Sequence, residues 1–283
     1  MNKIKILYED EDILAIDKPS GIMVHSDGKT KEKTITDWVI KNYPKLKGIG
    51  EPVTFNEQEI DRPGIVHRLD KGTSGVLLLA KNQKAHEFLK KQFMDREIKK
   101  IYIAIVNGWV KNDHGIINKP IGRSPSDFRR RLAGRGARGE LREAITEYKV
   151  LKRFEAPISK NFSSCALSRV RVGTLGDKNF QKFSLAKFSL IEIKPKTGRT
   201  HQIRVHMKFL NHPVACDSLY NPRQKSKNNL GGQAKGFCPA ELGRLALHAK
   251  SIEFKNLKGE TIKIESPLPK EFLNCKNERF MLD

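Results

Sequence analysis

The chain has 283 residues, and its 54 lysines and arginines outnumber 32 acids to give a formal net charge of +22. That length fits one large domain or two small ones, and 38% apolar residues are enough to fill a core. Such a charge repels itself in a compact chain and asks for a polyanionic partner; nucleic acid comes first, because neutralised phosphates release condensed counterions.

A membrane surface is the competing partner, but it calls for an amphipathic basic helix or a lipidation signal, and neither is present. The longest apolar runs, Val76 to Ala80 and Ile103 to Val106, are too short to span a bilayer. The acidic stretch Glu9-Asp10-Glu11-Asp12 follows the first apolar residues, so no signal peptide fits. Cys165, Cys216, Cys238 and Cys275 form no Cys-x-x-Cys pair, which predicts reduced thiols in a cytoplasmic protein.

Ile4 to Tyr8 and Ile13 to Asp17 read as a strand pair across an acidic turn, stopped by Lys18-Pro19-Ser20-Gly21. Thr34 and Asp37 cap a predicted helix through Tyr43. Pro44 to Gly64 reads as an irregular functional loop. Ile65 to Leu69 and Gly75 to Ala80 read as short buried strands around a polar turn. Asn82 caps a helix with Ala85, Phe88, Leu89 and Phe93 on one stripe, and Lys99 to Val106 alternates as a strand.

The segment Arg123 to Arg138 is rich in arginine and glycine, and is predicted to be mobile until it meets an anion. Strands are predicted around Ala144 to Phe154, Ala166 to Val172 and Phe188 to Ile193. Thr200 caps a predicted helix to Leu210, with Ile203, Met207 and Leu210 facing the core and His201, Arg204 and Lys208 on another face. Asn221 to Gly236 is a second basic loop, and Leu245 to Phe254 and Thr261 to Glu265 close the chain as strands. Many strands, few helices and no βαβ rhythm predict an α+β fold on a mixed, mostly antiparallel sheet flanked by helices and loops.

Three polar clusters interrupt these apolar segments: Asp17 to Gly21 with His25, His67 to Gly75, and Thr197 to His206. In the second, Asp70 follows an apolar stretch and has Arg68 and Lys71 beside it, cations that favour the carboxylate form. A fixed carboxylate serves as nucleophile, base or metal ligand, or simply caps turn amides. A metal site is not expected, since His201 and His206 are five apart with no acid between them. Ser74 lies in no Gly-x-Ser-x-Gly elbow, and a deaminase's clustered zinc ligands are missing.

The three clusters, in this order, resemble motifs of the RluA-type pseudouridine synthases: Asp17 to His25 with its Lys-Pro-Ser-Gly turn, His67 to Gly75 with His-Arg-Leu-Asp, and the basic Thr197 to His206. Arg244 to Ala249 resembles the closing-strand motif, and the likeness runs from about Lys5 to Glu271. The resemblance implies a pseudouridine-synthase-like fold and an isomerase that acts on uridine in structured ribosomal or transfer RNA without a cofactor. It implies Asp70 as the catalytic carboxylate, Tyr102 as the aromatic face for the flipped base and a candidate assisting base, and Arg204 as the cation paired with that carboxylate. Arg68 takes the gap left by the extruded nucleotide, and Leu247 floors the pocket. His67, Lys18, Arg199, His201, Arg129, Arg130 and Arg131 are expected to contact RNA.

The catalytic sequence begins almost at once, so a single domain over residues 1–283 is expected, without an S4-type domain. Basic insertions fall at about 121–140, 155–187 and 221–236. No obligate protein partner is expected, and a monomer is. An RNA chaperone without catalysis is the alternative, which the set Asp70, Tyr102 and Arg204 disfavours, since a pure binder needs charge but no such acid.

Overall fold

The computed structural model describes residues 4–26, 28, 32–55, 58–134, 136–158, 169–170, 183–221, 238–240 and 242–274. In chain order they form β1 (Lys5–Glu9), β2 (Ile13–Lys18), α1 (Ile35–Asn42), β3 (Val53–Phe55), β4 (Gln58–Ile60), β5 (Ser74–Ala80), α2 (Gln83–Met94) and β6 (Lys99–Asn107). There follow β7 (His114–Asn118), β8 (Ile121–Arg123), β9 (Arg131–Ala133), β10 (Arg138–Arg142), β11 (Ile145–Pro157) and β12 (Arg169–Val170). The remainder is β13 (Phe183–Pro195), α3 (Gln202–Phe209), β14 (Leu247–Lys255), β15 (Thr261–Glu265) and α4 (Lys270–Asn274). This is the α+β class that the patterning predicted. Two compact units arise: Met1–Tyr102 with His248–Pro267, and Ile103–Leu247 with Leu268–Asp283.

In the first unit β2 pairs antiparallel with β1 and with β5, and β5 runs parallel to β14, which carries β15. Strand β5 is buried along its whole length, which explains its unbroken apolar run. One face presents Leu14, Ile16, Leu77 and Leu79 to Ile35 and Val39 of α1. The other presents Ile13, Ala15, Val76 and Leu78 to Ala85 and Leu89 of α2. Thr34 and Asp37 close the capping box, the Asp37 carboxylate accepting the Thr34 amide at 2.7 Å, and Asn82 accepts the Ala85 amide at 2.9 Å.

Two expectations for this unit need correction. The stretch Ile65 to Leu69 is not a strand; only Ile65 bridges to Leu79. The imidazole of His67 takes the next place along β5, its Nε2 accepting the Leu78 amide at 2.9 Å, so a side chain replaces a backbone ladder. Pro44 to Gly64 is also more ordered than expected, with a 3-10 turn at Pro44–Leu46 and the β3–β4 hairpin.

The second unit is built on β11, which pairs antiparallel with β13 and β7, while β12 pairs with β13. The arginine- and glycine-rich segment supplies β9 and the adjoining ends of β8 and β10 to a three-stranded sheet in the order β10–β8–β9, strand structure that its composition did not signal. Ile121, Ala144, Val205 and Tyr220 form a small core beneath it, with Ala133 and Leu219 packed on. Three-residue strands are too short for their period to be read, so their order comes from this distant packing.

Helix α3 begins after His201, which has φ 58 and caps nothing with its side chain, so Thr200 is not the predicted cap. Cys216 and Cys238 are joined in a disulfide with Cα atoms 4.7 Å apart, against the expectation of reduced thiols. A separation of 22 residues carries no spacing signature. Cys165, Cys275, nearly all of Ala166 to Val172 and nearly all of the second basic loop lie outside the described residues. Among the described residues, no helix is long and apolar enough to cross a membrane.

Candidate active site

The polar turn after Leu69 is held from several sides within the first unit. Thr73 donates its amide to the Asp70 carbonyl at 3.0 Å and closes the turn. Gly21 donates its amide to Lys71 O at 2.8 Å, and Ser20 Oγ donates to Gly72 O at 2.7 Å. Downstream, Ser74 and Gly75 lie in parallel register with His248 and Ala249. Gly75 has φ 110, and a Cβ there would stand 2.2 Å from the Ala249 carbonyl oxygen, so the close strand approach requires glycine. The first and second sequence clusters are thus one structural piece, and Asp70, partly buried, projects from a braced backbone.

Lys18 belongs to this bracing. It is 0% exposed, and Nζ donates to the carbonyls of Pro19 at 2.8 Å, Ile22 at 2.7 Å and Lys71 at 3.3 Å. The expectation that it contacts RNA is therefore corrected: its ammonium is spent on backbone oxygens, and a phosphate has no access to it. His67, partly exposed, is also engaged within the fold. Its ring stacks on Phe93 at 4.9 Å and accepts the Leu78 amide. Burial first, and then the Lys100 cation, push its pKa down to about 3, so at neutral pH it is an uncharged structural acceptor. Arg68, by contrast, is exposed.

Tyr102 packs against the cluster that contains Leu69, Ile16 and Leu77. Burial, followed by the negative charge of Asp70, raises its pKa well above the usual tyrosine value. Its hydroxyl stays protonated at neutral pH and offers a donor and an aromatic face.

In the second unit Arg204 is buried, although the helical pattern set it on a face with His201 and Lys208. Asp217, which the sequence reading missed, explains the burial. Its carboxylate accepts Arg204 Nε at 2.7 Å and Nη2 at 2.9 Å, and also the amides of Leu219 at 2.9 Å and Tyr220 at 3.0 Å. The guanidinium lies 5.0 Å from the centre of the Tyr220 ring. The Tyr220 hydroxyl accepts the Arg131 amide at 2.8 Å and pairs with His201 Nδ1 at 2.9 Å. One tyrosine therefore ties α3 to the arginine-rich sheet. The only sequence signal was a polar Asp217-Ser218 pair followed by Leu219 and Tyr220, a pattern shared by ordinary turns.

The other residues of the third cluster are structural in large part. His206 is fully buried between Thr146 Oγ1 at 2.8 Å and the Lys119 carbonyl at 3.0 Å, and burial lowers its pKa. Gln202 joins Thr197, Thr146 and the Ile145 carbonyl. Arg199 is partly exposed, with Nε on the Glu143 carbonyl at 2.9 Å. Leu247 is buried at the start of β14. Arg129 is exposed and Arg130 and Arg131 are partly exposed around the β8–β9 turn.

Comparisons with known proteins point to one family. A family model described as RNA pseudouridylate synthase matches residues 12–209. The RNA pseudouridine synthase YlyB of Bacillus subtilis is 34% identical over 269 residues, 95% of this chain and 70% of that protein. The ribosomal large subunit pseudouridine synthase D of Borreliella burgdorferi is 34% identical over 95% of this chain and 67% of its own. An RNA pseudouridine synthase of Aquifex aeolicus is 38% identical over 79% of this chain, and the match spans only 58% of that protein. The fold matches human RNA pseudouridylate synthase domain containing 4 with a TM-score of 0.61 at 25% identity, covering 95% of this chain and 90% of that one. The ordered clusters, the braced Asp70 turn and these likenesses lead to one assignment: the chain belongs to the RNA pseudouridylate synthase family, in its RluA-type branch.

Proposed function

We propose that this chain converts uridine to pseudouridine in ribosomal RNA, with Asp70 as the catalytic carboxylate. The observation that carries the proposal is the braced Asp70 turn, with Tyr102 within its electrostatic reach. Ribosomal RNA is favoured over transfer RNA because relatives from Borreliella burgdorferi and Neisseria meningitidis are named for the ribosomal large subunit.

The reaction exchanges one glycosidic bond for another. The bond from the ribose carbon to N1 of uracil breaks, the base turns, and the same carbon bonds to C5. C5 loses its proton and N1 gains one, so no electrons or groups enter from outside. Asp70 attacks the nucleotide or removes a proton from it, and its fixed backbone keeps the carboxylate in place for either step. A base inside folded RNA must first leave its stack, and Tyr102 offers the face against which it is held. Arg204, carried over from the family likeness, is the catalytic cation, and Arg68 fills the vacated position. Leu247 supplies apolar floor to the pocket. Arg199, His201 and Arg129 to Arg131 hold the phosphate backbone.

Asp70→Asn tests the assignment, since it keeps size and turn chemistry while removing the charge. The measurement is tritium release from RNA labelled at uridine C5, with binding and unfolding followed on the same preparation. Release below detection with RNA affinity retained is expected. A folded variant working at the wild-type rate would falsify the role of Asp70.

A further inference from the structure

Arg62 stands eight residues before Asp70, at the start of the segment that carries His67 and Arg68. Its backbone is tied into the first unit. The Ile65 amide donates to the Arg62 carbonyl at 3.0 Å, while Gly64 donates its amide to Ile49 O at 2.8 Å and accepts the Ala80 amide at 2.8 Å. Gly64 has φ 66, and a Cβ there would stand 2.3 Å from the Ala80 carbonyl oxygen, so the segment lies directly against the end of β5. The Arg62 side chain is partly buried, and its Nε is shielded from water without a hydrogen-bond partner among the described residues. Burial, and then the positive charge of Arg68, lower its pKa. Glu51 acts on it through charge alone, and the Glu51 carboxylate is itself paired with Lys90.

An arginine with a purely structural use turns its donors to carbonyls or carboxylates, as Arg153 does toward Val110 and Arg204 toward Asp217. Arg62 does neither, and it stays charged at neutral pH. Burial strips part of its hydration and Arg68 repels it, so the free protein holds this cation at a cost that a bound anion removes. The guanidinium fork matches a phosphate, and two neighbouring arginines match a ligand whose charges recur at a fixed spacing. A single carboxylate on another protein offers no such repeat. The family acts on RNA, and the RNA backbone supplies that ligand.

We propose that Arg62 is a phosphate ligand that grips the RNA backbone beside the position Arg68 enters. The proposal deepens the reading of this chain as an RNA enzyme and rests on it. Its test reads binding and stability and requires no turnover, so the two fail separately. The probe is the tightest-binding member of a set of transcripts that tile large-subunit ribosomal RNA. It is titrated at several salt concentrations against the full-length wild type, Arg62→Met and Arg62→Lys, and urea unfolding is followed on the same preparations.

Arg62→Met is expected to weaken binding by roughly 10- to 100-fold, as the loss of a charge-assisted hydrogen bond does. The slope of log affinity against log salt should fall by roughly 0.7–0.9, the share of one phosphate. Arg62→Lys should keep the wild-type slope, because it keeps the charge, and bind between the other two, because it lacks the fork. The urea midpoint of Arg62→Met should stay at or above that of wild type, since the substitution removes a repelled cation and no internal hydrogen bond. Three results overturn the proposal. Wild-type affinity in Arg62→Met leaves the guanidinium without an RNA role. Weaker binding at an unchanged salt slope means that no phosphate contact was lost. A urea midpoint that falls with the affinity makes Arg62 a structural residue. A wild-type protein that meets every binding expectation yet leaves uridine unchanged sinks the reading as a synthase and spares Arg62.

Discussion

Asp217→Asn removes one charge from a pair whose side chains are 0% and 10% exposed, Asp217 and Arg204 respectively. The carboxylate accepts four hydrogen bonds, two from the Arg204 guanidinium and two from the Leu219 and Tyr220 amides. An asparagine keeps a single acceptor oxygen, and its amide NH2 turned to the guanidinium sets donor against donor. Either the guanidinium or the backbone pair therefore loses its acceptor. Removing one partner of a buried pair costs about 3–5 kcal/mol, because the remaining buried charge loses a directly bonded counter-ion. A loss of about 4 kcal/mol over a slope of about 2 kcal/mol per molar urea lowers the unfolding midpoint by about 2 M. The assay is urea unfolding of wild type, Asp217→Asn, Arg204→Met and the double variant. Their cycle should return a coupling well above 1 kcal/mol, as expected of groups that touch directly. A midpoint within about 0.3 M of wild type, or a coupling near zero, refutes the account of Asp217 as the mount of Arg204.

Three further outcomes are expected. Lys18→Met leaves the carbonyls of Pro19 and Ile22 without their ammonium donor, at about 1–3 kcal/mol for each unsatisfied oxygen; RNA affinity should not change, and a flatter salt dependence of binding would restore Lys18 as a phosphate ligand. His67 is held down to about 3 in the fold against about 6.5 unfolded, so the unfolded chain binds the extra proton between those values, and the stability His67 contributes is complete above pH 6.5 and lost as pH falls toward 3. Wild type should then lose stability more steeply than His67→Gln between pH 6.5 and 4, and parallel curves would remove this histidine from the acid transition. Replacing Arg129, Arg130 and Arg131 together by alanine should weaken RNA binding and lower the slope of log affinity against log salt by roughly 0.7–0.9 for each phosphate that is no longer neutralised. A fall in single-turnover rate at saturating RNA with an unchanged salt slope would place them in the chemistry instead.

The sequence by itself determined the class of fold, because its signals were local. An acidic turn between apolar stretches marked β1 and β2, alternation marked β6, the Thr34–Asp37 box and Asn82 marked two helix starts, and a continuous apolar run marked the strand buried on both faces. It also singled out Asp70, since a carboxylate between two cations in a glycine-bounded turn has no packing explanation. What it could not supply was the use made of each polar side chain. Lys18 and His67 look alike to a reader of motifs, one cation and one imidazole beside the Asp70 turn, yet the Lys18 ammonium and His67 Nε2 both bond to backbone groups. Lys18 reaches the Lys71 carbonyl across 53 positions of sequence, and such a closure leaves no periodic trace. Arg204 and Asp217 are 13 residues apart and meet only because α3 and the turn after it fold back on each other. The arginine-rich segment reads as a solvated tether by composition and becomes a sheet because Tyr220 and Val205 supply the apolar surface that its own residues lack. Local spacing fixes which backbone a segment adopts, whereas whether a charge meets solvent, a carbonyl or a counter-ion depends on what the chain brings beside it from far away, and that only the tertiary structure decided.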